Sequence, residues 1–235
     1  MQDLIKQEQF ELEVLDRLNS GKFLSSVIFT GGTMLRLCFG LNRFSVDLDF
    51  WITEEVDTKK LYQRLVEELG KFYELTDSAD KFYTLLFELR SPRYPRKLKM
   101  ERRKETKKLK TESAIAYSKY TNRQVILNVV SLPEMMKAKI DAFLQRREIR
   151  DVFDMEFLLK KGINLDTPEG KLEELLNGIE SLTKKDYEVK LASVLEEEQR
   201  KYYTEENFKI LKAAIIEKKA RGESPPSQTL ENSHK

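Results

Sequence analysis

Two aspartates, separated by a single residue, stand inside the otherwise apolar segment VDLDFWI, residues 46–52. Because residues i and i+2 of a β-strand point to the same face, a strand here would bring the carboxylates of Asp47 and Asp49 together. Two adjacent carboxylates repel each other unless one takes up a proton or a cation lies between them. With no histidine or cysteine in this segment, the oxygen pair favours Mg²⁺ or Mn²⁺. The alternative is a pair of surface carboxylates neutralised by Arg36 or Arg43.

A pair of glycines precedes these aspartates at the end of a short apolar run, VIFTGGT. This pattern predicts a strand that leads directly into a helix, and the free N–H groups at a helix start form a site for phosphate. Gly31 and Gly32 would leave the backbone accessible, and Thr33 adds a hydroxyl. The alternative for this segment alone is an ordinary tight turn. Together with the two aspartates, it indicates a site for a phosphorylated ligand and a divalent cation.

The composition excludes several classes of enzyme. His234, in the polar tail, is the only histidine, and Cys38 is the only cysteine. A Ser-His-Asp triad, a Cys-His pair and a histidine-based zinc site are therefore excluded, and no internal disulfide can form. Any chemistry must use carboxylates, lysine, arginine, hydroxyls and backbone amides. The formal net charge is only +2, so affinity for nucleic acid must come from local clusters of basic residues.

The hydrophobic pattern places the aspartates in an N-terminal sheet. We predict an α+β fold with an N-terminal domain, residues 1–132, that carries a mixed β-sheet and flanking helices. Helical periodicity then predicts a C-terminal helical domain, residues 133–221, and a polar tail, residues 222–235, that we expect to be disordered. The expected strands are 26–30, 46–52, 72–75, 82–90, 96–104 and 124–132, and the expected helices of the first domain are 1–19, 33–39 and 61–70.

The N-terminal segment shows an amphipathic helix pattern with charges throughout, which is not typical of a signal peptide. No apolar run approaches the roughly 20 residues that are needed to span a membrane. We therefore expect a cytoplasmic protein without a membrane partner.

The glycine turn and the paired aspartates together resemble the signature of the DNA polymerase β-like nucleotidyltransferase superfamily. The longer string GGTMLRLCFGLNRFSVDLDF, residues 31–50, is similar to the AbiEii/AbiGii toxin family. The resemblance continues in residues 131–159, where a lysine on one helix is followed by an arginine and an R-D-x-[YF]-D run. It covers roughly residues 20–160. The positions that match this second block are Lys139, Arg146, Asp151 and Asp154.

The resemblance implies a nucleotidyltransferase-type sheet and a third carboxylate on a neighbouring strand. Glu101 in LKMERR is the best candidate because it alternates with apolar Leu98 and Met100. Glu88 in LLFELR is the competing candidate. With Asp47 and Asp49, the third carboxylate would hold two metal ions that activate an attacking hydroxyl.

The resemblance also implies a role for the second block. Lys139 would neutralise charge on the triphosphate as pyrophosphate leaves, and Asp151 or Asp154 would orient Lys139 or contact the nucleotide. The alternatives are a solvated helix position for Lys139 and a carboxylate that favours the helix start for Asp151. The residues assigned to the nucleotide are Gly31, Gly32, Thr33, Ser45, Lys139 and Arg146.

A basic segment surrounds the candidate third carboxylate. Residues 93–110 contain ten Lys or Arg among eighteen, which would follow the phosphates of an RNA, and Tyr94, Tyr117 and Tyr120 could stack on unpaired bases. The alternative is a solvated hairpin.

The resemblance implies a toxin that transfers a nucleoside monophosphate from an NTP to an RNA 3′ end, with tRNA as the preferred acceptor and an antitoxin as a partner. Two alternatives remain open: an enzyme that modifies a small molecule or a protein hydroxyl, and a non-catalytic nucleic-acid-binding module. The sequence does not identify the tRNA or select the NTP.

Overall fold

The computed structural model describes residues 1–52, 56–105 and 108–222. Within these ranges seven strands form one mixed sheet in the order β3-β4-β5-β2-β1-β7-β6. Strand β2 is antiparallel to β1 and parallel to β5, and this places the segment with both aspartates in the middle of the sheet. The strands are β1 (Val27–Thr30), β2 (Asp47–Ile52), β3 (Glu74–Asp80), β4 (Thr84–Arg90), β5 (Leu98–Arg103), β6 (Thr111–Ser118) and β7 (Thr121–Val130).

Eight α-helices and three shorter helical turns accompany the strands in the described part of the chain. The turns are Leu24–Ser26, Asp186–Leu191 and Ala192–Val194. The helices are α1 (Gln2–Ser20), α2 (Gly31–Phe39), α3 (Thr58–Gly70), α4 (Leu132–Arg146), α5 (Ile149–Lys160), α6 (Glu169–Glu180), α7 (Glu197–Glu206) and α8 (Lys209–Gly222).

One face of the sheet is covered by α1, α2 and α3. Leu48, Phe50, Phe87 and Met100 on this face are buried, because alternate residues of each strand point toward the helices. The opposite face carries Asp47 and Asp49 and is only partly covered. The structure thus separates an apolar face, which holds the sheet to its helices, from a polar face, which is available for chemistry.

The predicted fold class is confirmed: a mixed sheet with flanking helices is followed by a helical region. Buried residues of both regions, from Phe10 on α1 to Ile215 on α8, belong to one contiguous hydrophobic cluster. The division into domains at residues 132 and 133 stays a prediction. The predicted tail lies outside the described residues, except for Gly222 at the end of α8. Among the described residues, no helix combines the length and the hydrophobicity needed to cross a membrane.

Two strands of the sheet differ from the prediction, and both are polar edge strands. Strand β6 was not predicted, because only Ala116 and Ser118 of its eight residues are buried and the apolar signal is weak. The strand expected at 72–75 begins at Glu74 and continues through the polar sequence ELTDSAD. Phe72 and Tyr73 instead form the turn after α3, with their amides bonded to the carbonyl of Leu69. Hydrogen bonding of β6 to β7 and of β3 to β4, rather than local hydrophobicity, makes these two segments strands.

Candidate active site

The paired aspartates share the partly covered face of the sheet. Leu48 between them is buried and points into the core, whereas Asp47 and Asp49 are both partly buried on the opposite side. Strand β5 runs parallel to β2, with Lys99 opposite Asp47 and Glu101 opposite Asp49. Because residues in register on neighbouring strands point to the same face, three carboxylates lie on one side of two adjacent strands.

The two candidates for the third carboxylate occupy different positions. Glu88 lies on β4, which β5 separates from β2. Its carboxylate accepts hydrogen bonds from the Thr76 hydroxyl at 2.6 Å and from Lys97 Nζ at 2.6 Å. Glu101 lies on the strand adjacent to Asp49. The geometry therefore favours Glu101 as the partner of the aspartate pair.

The aspartate pair is not neutralised by hydrogen bonds or salt bridges to any other described residue. Burial raises the pKa of Asp47, and it raises the pKa of Asp49 to about 6, with Asp47 and Glu101 adding repulsion. Lys139 and Arg103 partly oppose the shift at Asp49. The two carboxylates thus carry an electrostatic penalty that a bound cation would relieve.

The arginines that could have neutralised this pair have other partners. Arg36 forms a salt bridge with Glu8 of α1. Arg43 donates from Nε and Nη2 to both oxygens of Asp154, at 2.7 and 2.8 Å. The alternative of a surface aspartate pair held by these two arginines is therefore wrong.

The donor set fits a hard divalent cation in part. Among the described residues, no three acidic, histidine or cysteine side chains already surround a common point that could hold a metal ion. Lys99 Nζ lies 2.5 Å from Glu101 Oε1, so Glu101 would have to leave this contact to join Asp47 and Asp49 on an ion. Asp47 and Asp49 supply oxygen ligands of the kind that Mg²⁺ and Mn²⁺ prefer. The aspartate pair therefore suits such a cation, whereas Glu101 is bound to Lys99 in this structure.

The glycine turn lies directly against the aspartates. Gly31 has φ of +83°, and a Cβ atom at this position would come within 2.6 Å of Asp49 Oδ2. Any other residue would therefore be strained and would collide with the carboxylate. A Cβ at Gly32 would come within 2.5 Å of Arg43 Nη2 and 2.9 Å of Ser45 Oγ. Both glycines are required by close approach, and Ser45 lies beside the start of α2.

The start of α2 is open to an anion. No side chain caps this helix, so the N–H groups of its first turn keep the partial positive charge of a helix N-terminus. The Thr33 hydroxyl is buried and donates to the backbone carbonyl of Asp47 at 2.6 Å. The expectation that this hydroxyl binds phosphate is therefore corrected: it fixes α2 to β2, and Thr33 can offer only its backbone N–H.

A buried ionic network holds Lys139. Lys139 Nζ lies 3.1 Å from Asp151 Oδ1 and 2.7 Å from Asp154 Oδ2. Arg146 donates to both oxygens of Asp151 at 2.7 Å, and Arg43 binds Asp154 in the same bidentate manner. Burial alone would raise the pKa of Asp154, but Arg43 and Lys139 together hold it below its ordinary value. The network fixes the ammonium group on the side of the site where its charge acts on Asp49.

The network decides between the alternatives given above for the second block of the resemblance, residues 131–159. Lys139 is only 7% exposed, so the alternative of a solvated helix position is wrong. Asp151 and Asp154 are fully buried, and their carboxylate oxygens contact basic side chains of the network. They therefore position Lys139. Direct contact of either aspartate with a nucleotide is not supported. Arg146 keeps 58% of its side chain exposed while Asp151 fixes its orientation, so it can still meet a ligand.

The sequence interpretation missed three basic residues of the site. Arg43 was considered only as a partner of the aspartates, although it stands two residues before Ser45 in the RFS segment that carries the resemblance. Lys99 could have been found from the alternation that identified Glu101. Lys99 and Arg150, which precedes Asp151 in α5, both act to lower the pKa of Asp47.

The predicted tyrosine contacts are not at this site. The Tyr94 ring stacks on Phe10, with centroids 4.5 Å apart, and its hydroxyl donates to Glu13 at 2.8 Å. Tyr117 lies on edge strand β6, three strands from β2, and Tyr120 lies in the following turn. These tyrosines are structural or distant from the carboxylates.

Two cavities in the described part of the chain lie away from the aspartates. One of about 510 Å³ is lined by the loop between β4 and β5, including Arg90, Arg96 and Lys97. A larger cavity of about 890 Å³ lies between the loop after α5 and α8 and includes none of the site residues.

Comparisons with known proteins agree with this geometry. The model of the family described as nucleotidyl transferase AbiEii toxin, type IV toxin–antitoxin system, matches residues 13–220 of the 235. The structure of a candidate nucleotidyltransferase from H. pylori is similar, with 21% identity and a TM-score of 0.58, over 92% of this chain and 98% of that chain. JHP933 from Helicobacter pylori is also similar, with 20% identity and a TM-score of 0.52, over 88% and 96%. A comparison with curated proteins gives no match. The resemblance found in the sequence is confirmed.

We expect Asp49→Asn to stabilise the protein at pH 8 but not at pH 4. Because the folded-state pKa of about 6 exceeds the unfolded value near 3.9, ionisation of Asp49 opposes folding, and this penalty grows as the pH rises from about 4 through 6. In a buffer with a metal chelator, urea unfolding should show a gain of about 1–3 kcal/mol at pH 8. Glu88→Gln is the control: Lys97 and Thr76 lower the Glu88 pKa, so it should not stabilise. Equal gains for both variants would contradict this assignment.

We expect Asp154→Ala to be much more destabilising than Lys139→Met. Removing Asp154 leaves the buried Arg43 without its carboxylate, which costs about 3–5 kcal/mol. Removing Lys139 leaves Asp154 on Arg43 and Asp151 on Arg146, so we expect a loss of about 1 kcal/mol. Urea unfolding of both variants checks the difference. Similar losses would show that Lys139, and not Arg43, carries the network.

Proposed function

The chain belongs to the AbiEii nucleotidyl transferase toxin family, and on this premise we propose that it transfers a nucleoside monophosphate from an NTP to the 3′ hydroxyl of an RNA, with tRNA as the preferred acceptor. The family makes the chain a nucleotidyltransferase and places it among toxins of toxin–antitoxin systems. The single observation that supports the proposal for this site is the unneutralised aspartate pair packed against a glycine turn.

The proposed ligand contacts follow from the site geometry. Asp47 and Asp49, with Glu101, would hold Mg²⁺ or Mn²⁺, which supplies charge neutralisation on the triphosphate when bound. The backbone N–H groups of Gly31 and Gly32 bind phosphate oxygens at the start of α2. The remaining contacts to the nucleotide come from Thr33 through its backbone N–H, Ser45, Lys139 and Arg146.

The chain's own groups would carry the charges that move during the reaction. The acceptor oxygen forms a bond to the α-phosphorus, the bond between the α- and β-phosphates breaks, and pyrophosphate leaves. The acceptor hydroxyl gives up its proton, and we propose that the Glu101 carboxylate takes up this proton. Lys139 neutralises the charge that develops on pyrophosphate, and Asp151 and Asp154 hold its ammonium group in place.

Basic residues beside the third carboxylate support a polyanionic acceptor. Lys99 and Arg103 flank Glu101 on β5, and Arg96 and Lys97 line the cavity before this strand. A small cationic acceptor would instead favour an acidic pocket. We propose that the basic segment, residues 93–110, follows the phosphates of RNA. We also propose that the enzyme acts in the cytoplasm, where NTP and tRNA occur. A cognate antitoxin is the proposed protein partner that counters it.

We expect label from an NTP to appear on RNA when the full chain is incubated with Mg²⁺, each α-labelled NTP and total tRNA. Asp49→Asn and Lys139→Met should each lower the rate by about 100-fold or more, because the first weakens the hold on the divalent cation and the second removes a positive charge that stabilises the leaving pyrophosphate. Glu88→Gln should retain the rate, since Glu88 lies two strands from β2. Gel analysis of the products measures the transfer.

Two results would contradict the proposal. Label on a small molecule or on protein would identify a different acceptor, and binding of RNA without any transfer would indicate a non-catalytic module. Growth arrest on expression, with relief by the neighbouring gene, tests the antitoxin separately.

A further inference from the structure

Lys99 is a basic side chain of β5 that faces the aspartate pair. It lies opposite Asp47 in register, and Glu101, two residues further along β5, lies opposite Asp49. Because residues i and i+2 of a strand share a face, Lys99 and the three carboxylates lie on one side of the sheet. Lys99 Nζ is 2.5 Å from Glu101 Oε1. The ammonium group therefore lies beside the carboxylates that the proposed function assigns to a divalent cation.

The charge of Lys99 acts on all three carboxylates. The hydrogen bond to Glu101, followed by the charges of Glu101, Asp47 and Asp49, raises the pKa of Lys99. Burial raises the pKa of Asp47, and Lys99 is the charge that opposes this rise most strongly. Lys99 thus acts as a counter-ion that contacts Glu101 and reaches both aspartates at longer range. One positive charge cannot balance three carboxylates, so the cluster still attracts a cation.

The contact between Lys99 and Glu101 can open at small cost. Both side chains are partly exposed, and ion pairs between exposed side chains contribute little to stability because water screens them. The ammonium group of a lysine also stands on a flexible four-carbon stem, so it can move without a change in the backbone. Lys99 is therefore able to release Glu101 while the strand stays in place.

The strand directions place Lys99 at the phosphate end of the site. Strand β1 is antiparallel to β2, with Thr30 opposite Asp49, and the chain continues past Thr30 into Gly31 and toward Asp47. Lys99 lies opposite Asp47, so it shares this end of the carboxylate group with the start of α2. An ammonium group released from Glu101 would remain beside the backbone N–H groups that are proposed to bind the triphosphate.

We propose that Lys99 is an exchangeable counter-ion, which holds Glu101 until a divalent cation binds the three carboxylates and then moves to a phosphate of the bound NTP. The exchange keeps charges matched: the cation replaces the ammonium group on Glu101, and the ammonium group meets the negative charge that the nucleotide brings. Each ligand thereby favours the binding of the other. This inference rests on the proposed function, because it assigns a role within the same site.

Binding of Mn²⁺ to the full chain tests the first half of the exchange without catalysis. The paramagnetic resonance signal of free Mn²⁺ gives the affinity. Lys99→Met should tighten Mn²⁺ binding by about 10-fold, because the ion no longer competes with an ammonium group for Glu101. A failure of the unaltered chain to bind Mn²⁺, or an unchanged affinity in Lys99→Met, would overturn the inference.

Lys97→Met is the matched control for this measurement. Lys97 Nζ lies 2.6 Å from Glu88 Oε1, and the side chains of Lys97 and Lys99 are each 48% exposed. Glu88, however, lies two strands from β2. Lys97→Met should therefore change the Mn²⁺ affinity by less than about twofold. Equal gains from the two lysine substitutions would contradict a specific role for Lys99.

Glu101→Gln separates competition for this carboxylate from a general effect of charge. In the Glu101→Gln background, Lys99→Met should tighten Mn²⁺ binding by no more than about threefold, since the group for which the two cations compete is absent. The same gain with and without Glu101 would show that Lys99 acts only as a remote charge, and would overturn the exchange. Both side chains are partly exposed, so we expect the variants to fold.

Nucleotide binding tests the second half of the exchange. At saturating Mn²⁺, Lys99→Met should weaken the binding of NTP analogues with a methylene group between the α- and β-phosphates by about 10-fold, as measured by calorimetry. Lys97→Met should leave this binding unchanged. Tighter cation binding together with weaker nucleotide binding is expected of an exchanging group, whereas a side chain that only supports the strand would weaken both. Unchanged nucleotide binding in Lys99→Met, or no binding of any analogue to the unaltered chain, would overturn the inference.

The exchange and the proposed reaction can fail separately. Transfer of label to RNA by the unaltered chain, with an unchanged Mn²⁺ affinity in Lys99→Met, would overturn the exchange and leave the reaction intact. The expected changes in cation and nucleotide binding, without transfer from any NTP, would support the exchange and contradict the reaction.

Discussion

Repulsion between the half-buried carboxylates of Asp47 and Asp49 is the constraint on which the site depends. Burial, together with repulsion from Asp47 and Glu101, raises the pKa of Asp49 to about 6. Arg36 and Arg43, the two basic residues that precede the pair most closely, are committed to Glu8 and Asp154. The fold therefore keeps this negative charge unpaired, which costs stability and leaves a strong attraction for a cation.

Unlike the two aspartates, the buried basic residues of the site are paired with carboxylates. Arg43 and Lys139 are buried and both contact Asp154 of α5, and with Arg146 and Asp151 the network holds three basic groups on two carboxylates. The network also joins the loop before β2 to α4 and α5, because Arg43, Lys139 and Asp154 come from these three segments. A change in the packing of the helical region would therefore move Lys139 relative to Asp49. The helices do more than cover the sheet: they fix the position of the Lys139 ammonium group relative to Asp49.

Local patterns predicted part of this site, and long-range pairing determined the rest. Alternation with period two was enough to place Asp47 and Asp49 on one face, and the same rule identified Glu101 on its own strand. That Glu101 lies opposite Asp49 depends on the register between β2 and β5, which the sequence does not encode locally. The bond between Arg43 and Asp154 joins residues 111 positions apart, so no spacing rule could reveal it. Polar edge strand β6 was missed because its pairing with β7, not its hydrophobicity, makes it a strand.

The mixed strand directions around β2 determine which groups lie at each end of the carboxylate group. Because β1 is antiparallel, its C-terminal end and the start of α2 lie beside the end of β2 that carries Asp47. Because β5 is parallel, Glu101 and then Arg103 follow the same direction as Asp49 and Trp51. The amides at the start of α2 therefore lie at one end of the carboxylate group, and Trp51 lies at the other. If β1 were parallel to β2, the helix start would lie on the side of Trp51, away from Asp47.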